Sequence, residues 1–179
     1  MLKRMSYPLI IEGPRESWPA DFAHEAGLVA AALGPTLLAL HHIGSTAIPG
    51  ICAKPIIDLL GEVGSLEAVD ARCGEMERLG YEVMGEFGLP GRRFFRKSNA
   101  EGRRTHHLHA FLAGSSEVVR HLAFRDYVRC HADVAREYDA LKRRLESSCG
   151  GDREAYIVGK DAFVKDVERR ALAWWGARE

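Results

Sequence analysis

Between Glu16 and Leu33 the apolar residues Phe22, Ala26, Val29 and Leu33 recur at helical spacing, and Gly34-Pro35 stops the run, so a first helix is expected there. The period then changes. Thr36 to Ile43 is a short apolar run that reads as a strand, and a Gly-Ser-Thr turn (Gly44, Ser45, Thr46) follows it. After a connector broken by proline and glycine, a second apolar run from Pro55 to Leu60 reads as another strand and carries one acid, Asp58. Ser65 to Leu79 has the pattern of a helix, with Ser65 as its N-cap and Gly80 at its end. Tyr81 to Met84 starts a strand, and Pro90-Gly91 marks a turn. Arg92 to Lys97 and His106 to Leu112 then read as an antiparallel pair around the polar loop Ser98 to Arg104. From Ser115 onward the pattern is helical, with breaks near His131 and at Cys149-Gly150-Gly151. The expected fold class is α/β (α+β), followed by a helical last third. One domain is expected over 1–179, with an α/β core over 7–113 and a helical segment over 115–176 packed on it. There is no internal repeat, low-complexity tract or interdomain linker.

Composition narrows the function classes. The chain has 179 residues, enough for one real core, and 46% of them are apolar. Twenty-five bases balance 25 acids, so bulk nucleic-acid binding is not expected. The four cysteines (Cys52, Cys73, Cys130, Cys149) lack Cys-x-x-Cys spacing and read as reduced thiols of a cytoplasmic protein. The basic start, Met1 to Met5, is followed only by the apolar run Leu9 to Ile11, too short for a signal peptide. No stretch approaches the roughly 18 apolar residues needed to cross a membrane. Composition carries no information on oligomeric state.

Candidate chemistry gathers at the first two strands. Gly44 lets the backbone turn sharply, and Ser45, Thr46 and the nearby amides can face an anion, because successive N–H groups at such a turn form a cationic concavity. A lone carboxylate such as Asp58 on an apolar strand is costly unless something pairs with it. Metal-ligand duty is one reading; a plain ion pair with Lys54 or Arg93 is the other. Lys54 does not belong to a P-loop: Gly50 precedes it by four residues, but Pro55 stands where Ser or Thr is required. It reads as a phosphate or carboxylate partner at the strand entrance, or as a solvated lysine.

Farther along, strand alternation puts Arg92, Phe94 and Arg96 on one face and Arg93, Phe95 and Lys97 on the other. Either set places cations beside an aromatic ring, which suits phosphate and base stacking or, more plainly, a charged edge strand. His107 and His109 share a strand face about 7 Å apart, while His106 points the other way. Such a pair can ligate a transition metal or donate to phosphate. In the helical third, Val118, Leu122, Arg125 and Arg129 form one stripe. Lys160 interrupts the stripe Tyr156, Phe163, Val167, Ala171 and Trp174, and Lys142 lies beside Val134, Tyr138, Leu141 and Leu145. A cation on a packing face must reach an acid, snorkel or meet an anion. Arg125, Lys142 and Lys160 together suggest one shared anion.

The segments His42-Ile-Gly-Ser-Thr, Ala53-Lys-Pro-Ile-Ile-Asp58, Pro90-Gly-Arg-Arg-Phe-Phe-Arg-Lys97, Thr105-His-His-Leu-His109, His121-Leu-Ala-Phe-Arg-Asp-Tyr127 and Tyr138-Asp-Ala-Leu-Lys142 occur in an order that resembles the GrpB family of the nucleotidyltransferase (polymerase-beta-like) superfamily. The resemblance runs roughly from Tyr7 to Ala171. It implies a nucleotidyltransferase-like mixed sheet with flanking helices and a helical C-terminal segment. It also implies Mg²⁺ held by Asp58, and Arg93 and Lys97 as the ligand-binding cations of their strand. No organic cofactor is expected. One departure stands out: the superfamily's second strand acid is Leu60 here. Glu62 shares that face but lies about 13 Å from Asp58 along the strand, against the roughly 3.5–4 Å that separates paired metals. Glu86 would have to come from another strand.

The expected function is binding of a nucleotide or other phosphorylated small molecule. Gly44, Ser45 and Thr46 would cradle phosphate, and Lys54, Arg93, Lys97, His107, His109, Arg125 and Lys160 would contact it. Nucleotidyl transfer to a small acceptor is the expected reaction if the protein is an enzyme. The competing expectations are a non-catalytic nucleotide- or phosphate-binding module, which Leu60 favours, and a metal-dependent phosphoesterase built on Asp58, His107 and His109.

Overall fold

The computed structural model describes residues 9–178, so the basic start, Met1 to Met5, lies outside it. Six helices and five strands follow in the order α1 (Trp18–Leu33), β1 (Leu37–Ile43), β2 (Ile57–Val63), α2 (Leu66–Asp70), α3 (Cys73–Arg78), β3 (Tyr81–Val83), β4 (Arg93–Ser98), β5 (Arg104–Leu112), α4 (Ser116–Cys130), α5 (Ala132–Ser148) and α6 (Arg153–Gly176). The strands form one mixed sheet in the order β1-β2-β5-β4-β3. Only β2 and β5 pair in parallel; the other neighbours are antiparallel. This is the mixed sheet with flanking helices and a helical C-terminal segment that the sequence implies.

Strand alternation divides the sheet into two faces. Ile57, Leu59, Val63, Leu108, Ala110, Phe95 and Tyr81 pack against α1 and the short helices, with Val29, Leu33, Val69 and Met76. The opposite face is shorter on apolar groups: Leu60, Ile43 and Phe111 meet Val118 of α4. A separate apolar cluster ties α4, α5 and α6 to the connector after β1 through Ile48, Ile51, Tyr127, Val128, Val134, Tyr138, Val167 and Ala171. The second face therefore has helices over part of it and a cleft beside them.

Several boundaries differ from the sequence expectation. The helix expected over Ser65 to Leu79 is two short helices, broken at Ala71 and Arg72. Cys73 and Gly74 are weak helix formers just past the break, and Asp70 at the end of α2 is held by Arg93 (2.6 and 2.8 Å). Ser65 does cap the first piece, its Oγ accepting from the Ala68 N–H at 3.2 Å. β2 runs on to Val63, because β1 and β5 pair with it along its length. β5 begins at Arg104, so the β4–β5 loop is shorter than expected. Its Asn99 Oδ1 accepts from the Arg103 N–H at 2.9 Å. The breaks expected near His131 and Cys149 are where α4, α5 and α6 part. On α1 the sequence pattern missed a buried acid: Glu25 is only 3% exposed and is paired by Lys97 across the sheet at 2.9 Å.

Candidate functional site

The Asp58 strand is the meeting point of the cleft. Register alone brings three chemical groups together: β1 pairs Ile43 with Asp58, and β5 pairs His107 with Asp58 and His109 with Leu60. Asp58, His107 and His109 point to the same face, and one donor atom from each lies within 4.8 Å of the others. The His107 Nδ1–H donates to Asp58 Oδ1 at 3.0 Å. An ionised carboxylate only accepts, so this bond fixes the tautomer and leaves Nε2 of His107 with its lone pair. His109 Nε2 is 4.0 Å from the same oxygen.

Gly44 sits against this carboxylate. Its φ is +71°, and a Cβ placed there would come within 2.5 Å of Asp58 Oδ2. Glycine is thus required twice, by conformation and by contact. The single helical turn Ser45–Ala47 follows it. Thr46 is buried and its hydroxyl is already committed, to His42 Nε2 at 2.9 Å and to the Ile56 carbonyl at 3.4 Å. Thr46 therefore positions the turn, and among the described residues Ser45 is the hydroxyl of this pair with no such commitment.

Electrostatics set the charge state. Burial works against ionisation of Asp58, but the hydrogen bond from His107 and nearby positive charge hold its carboxyl below the usual carboxylate range. Burial pushes His109 down to about 3, against the pull of Asp58, so its imidazole is neutral at pH 7. His42 is pushed down to about 4 by burial and by Arg129. Neutral imidazoles are the form that ligates metals.

Two cavities share Asp58 and His107. The first, about 270 Å³, is lined by Ser45, Thr46, Lys54, Arg153, Tyr156 and Lys160 among others. Lys54 and Lys160 each place Nζ over the Tyr156 ring, at 4.8 and 5.2 Å. Among the described residues neither these lysines nor Arg153 forms an ion pair. Burial, with Lys160 and Arg153 close by, pushes the Lys54 ammonium down to about 8. The second cavity, about 310 Å³, is lined by Ile43, His109, His121, Phe124, Tyr138 and Val164, with Arg120 and Glu168.

The structure thus brings Gly44, Ser45, Thr46, Lys54, Asp58, His107, His109 and Lys160 together. It separates three others from them. Arg93 and Lys97 lie on the opposite sheet face, bound to Asp70 and Glu25, because the pairing of β4 with β5 puts Phe94 and Arg96, not Arg93 and Lys97, beside the histidines. Arg125 donates to the His42 carbonyl (3.2 Å) and to Asp126 (2.7 Å), holding α4 to the end of β1. Lys142 is buried and donates to the Cys52 carbonyl. The shared anion for Arg125, Lys142 and Lys160 is therefore not what unites them: Lys160 alone of the three lines the first cavity. Glu86 accepts from the Gly91 N–H at 2.7 Å and faces Arg93, so it does not complete the carboxylate set. Glu62 is held by His41 at 2.8 Å. Arg153, His121, Arg120 and Glu168 were missed by the sequence reading. His121, in the segment His121 to Tyr127, and Arg153, one step of three before Tyr156 on its stripe, carried a signal there.

A family model described as GrpB protein matches residues 8–170. The UPF0157 protein YqkA of Bacillus subtilis (strain 168) is 43% identical over 89% of this chain, which spans 46% of that relative's length. The crystal structure of conserved protein GrpB from Enterococcus faecalis superposes with a TM-score of 0.88 at 41% identity, covering 93% of this chain and 99% of that one. A more distant match, 27% identical over 93% of this chain, covers 47% of a protein named dephospho-CoA kinase from Mycolicibacterium paratuberculosis. With the family model spanning most of the chain and the overall fold matching that crystal structure, this chain belongs to the GrpB family.

Proposed function

We propose that the cleft binds the phosphate groups of a small molecule, a nucleotide being the leading class, beside a divalent metal ion held by Asp58, His107 and His109. The observation that carries this reading is the convergence of those three donors at the junction of a cavity lined by Lys54, Arg153 and Lys160. Two lysines over one tyrosine ring, with Arg153 lining the same cavity and none of the three in an ion pair among the described residues, favour an anion of high charge, and phosphate meets that description. The distant kinase-named relative adds slight support for a nucleotide.

The donor set bears on the ion. Mg²⁺ prefers oxygen ligands and keeps its waters; two imidazoles with one carboxylate suit Mn²⁺, Fe²⁺ or Zn²⁺ better. A single ion also agrees with Leu60, which is fully buried among Ile43, Phe111 and Val118 where the superfamily has its second acid. When bound, the ion supplies Lewis-acid chemistry toward a phosphoryl oxygen. The chain's own groups do the rest. Gly44 lets the carboxylate approach the turn, the first cavity neutralises phosphate charge, and the His107–Asp58 hydrogen bond leaves the other imidazole nitrogen with its lone pair directed to the ion. Nucleotidyl transfer or phosphoester hydrolysis both fit this arrangement. A binding module without turnover is the second reading, and the missing second acid favours it.

The direct test is calorimetric titration with inorganic pyrophosphate, with and without Mn²⁺, on wild type and on Lys160→Met. Saturable binding that Mn²⁺ strengthens and Lys160→Met weakens about tenfold is expected, the loss of one charge-assisted contact. Absence of pyrophosphate binding under both conditions would rule the reading out.

A further inference from the structure

The second cavity has a different chemistry from the first, and the two meet at Asp58. Ile43, Phe124, Tyr138 and Val164 give it apolar and aromatic walls. The rings of His109 and His121 add to them, with centroids 5.9 Å apart. Tyr138 is braced by Phe163, stacked at 5.3 Å, and by Phe124, edge-on at 6.1 Å. Such walls suit the face of a planar ring better than a flexible chain. Three polar groups line the same space. Arg120 is ion-paired with Glu168 and with Glu117, the latter at 2.8 Å. The His121 Nδ1–H donates to the Glu117 carbonyl at 2.7 Å, and its Nε2 faces an Arg120 N–H at 3.5 Å, from which it accepts. Donor and acceptor thus stand side by side: a guanidinium that only donates and a carboxylate that only accepts, with an imidazole nitrogen already facing the guanidinium. A ring edge with adjacent acceptor and donor atoms, the kind every nucleobase carries, complements that set.

We propose that this aromatic cavity is the subsite for a heteroaromatic ring, with Arg120 and Glu168 reading one ring edge while the ligand's phosphates occupy the first cavity. The ligand is then a nucleotide rather than a simple phosphate ester, spanning the cleft across Asp58. This rests on the phosphate reading above, and it adds a claim that pyrophosphate alone cannot meet.

The test compares inorganic pyrophosphate with ATP, GTP, CTP and UTP by calorimetry in Mn²⁺, on wild type, Glu168→Gln and Phe124→Ala. At least one nucleotide is expected to bind about tenfold or more tighter than pyrophosphate, and both variants to lose most of that advantage. Unchanged pyrophosphate affinity in the variants is the internal evidence that they are folded. Nucleotides that bind no tighter than pyrophosphate, or an advantage that survives both substitutions, would overturn the subsite while leaving the phosphate reading intact. Failure of pyrophosphate and nucleotides alike would overturn both.

Discussion

At the scale of single residues, the site depends on what can stand next to Asp58. Gly44→Ala puts a methyl group within 2.5 Å of the carboxylate at a φ of +71°. A loss of about 1–3 kcal/mol in urea unfolding is expected, together with weaker metal binding. Unchanged stability would mean that the carboxylate moves aside freely. Leu60→Asp supplies the second acid of the nucleotidyltransferase pattern that the sequence resembles but places it among Ile43, Phe111 and Val118. It should lose about 3–5 kcal/mol rather than gain activity, because it removes apolar packing and buries a charge. Lys54 gives a pH signature. Its ammonium, pushed down to about 8, is the form that attracts phosphate, so pyrophosphate affinity should fall as pH rises from 7 to 9. Lys54→Arg, which does not titrate there, should show a smaller fall, and the comparison cancels the probe's own protonation. An equal fall in both proteins would exclude Lys54 as the cause.

Residue roles were legible in the sequence where local geometry decides them. Gly44 and Asp58 flank a turn, and the His107–His109 spacing puts both rings on one face whatever the rest of the fold does. Arg93 and Lys97 were not legible. Both faces of their strand carry cations and an aromatic ring, and only the pairing of β4 with β5 decides which face meets Asp58. Arg153 stands one step of three before Tyr156 on the stripe that Lys160 interrupts, a helical signal that the reading from Tyr156 onward left out.

At the scale of elements, α4 is a clamp on the β1 turn. Arg125 donates to the His42 carbonyl and Arg129 to the Ala47 carbonyl at 2.8 Å, 83 and 82 residues away in sequence. The arginine end of the α4 stripe therefore satisfies backbone oxygens that the turn leaves exposed. The sequence showed the stripe but not its targets, since long-range contacts leave no periodic trace. Arg129→Met should cost about 1–2 kcal/mol in urea unfolding. It should also weaken pyrophosphate binding, because the Gly44–Ala47 turn loses its outer support. Weaker stability with unchanged binding would separate the clamp from the site. The break between α2 and α3 was likewise hidden: Val69 and Met76 are both fully buried, so the apolar pattern continues through it.

At the scale of the whole molecule, folding places several imidazoles where a positive charge is disfavoured. Burial pushes His42 down to about 4 and His109 down to about 3, and lowers His121 as well. Below about pH 6.5 the unfolded chain protonates these groups and the folded chain does not, so stability falls as pH falls from there toward about 4. Between pH 7.5 and pH 5 the effect is of order 1–3 kcal/mol for each of His42 and His109. Urea midpoints at pH 7.5 and pH 5 should differ accordingly, and His42→Gln should flatten the difference; equal wild-type midpoints would contradict the burial argument. A neutral His109 beside an ionised Asp58 is also what the metal-site reading depends on. Titrating Mn²⁺ and Zn²⁺ into chelator-treated protein, wild type against Asp58→Asn, His107→Ala and His109→Ala, tests it most directly. One ion per chain in the wild type, with affinity at least about tenfold lower in each variant, is the expected result. No saturable binding in the wild type, or binding that all three variants retain, would contradict it.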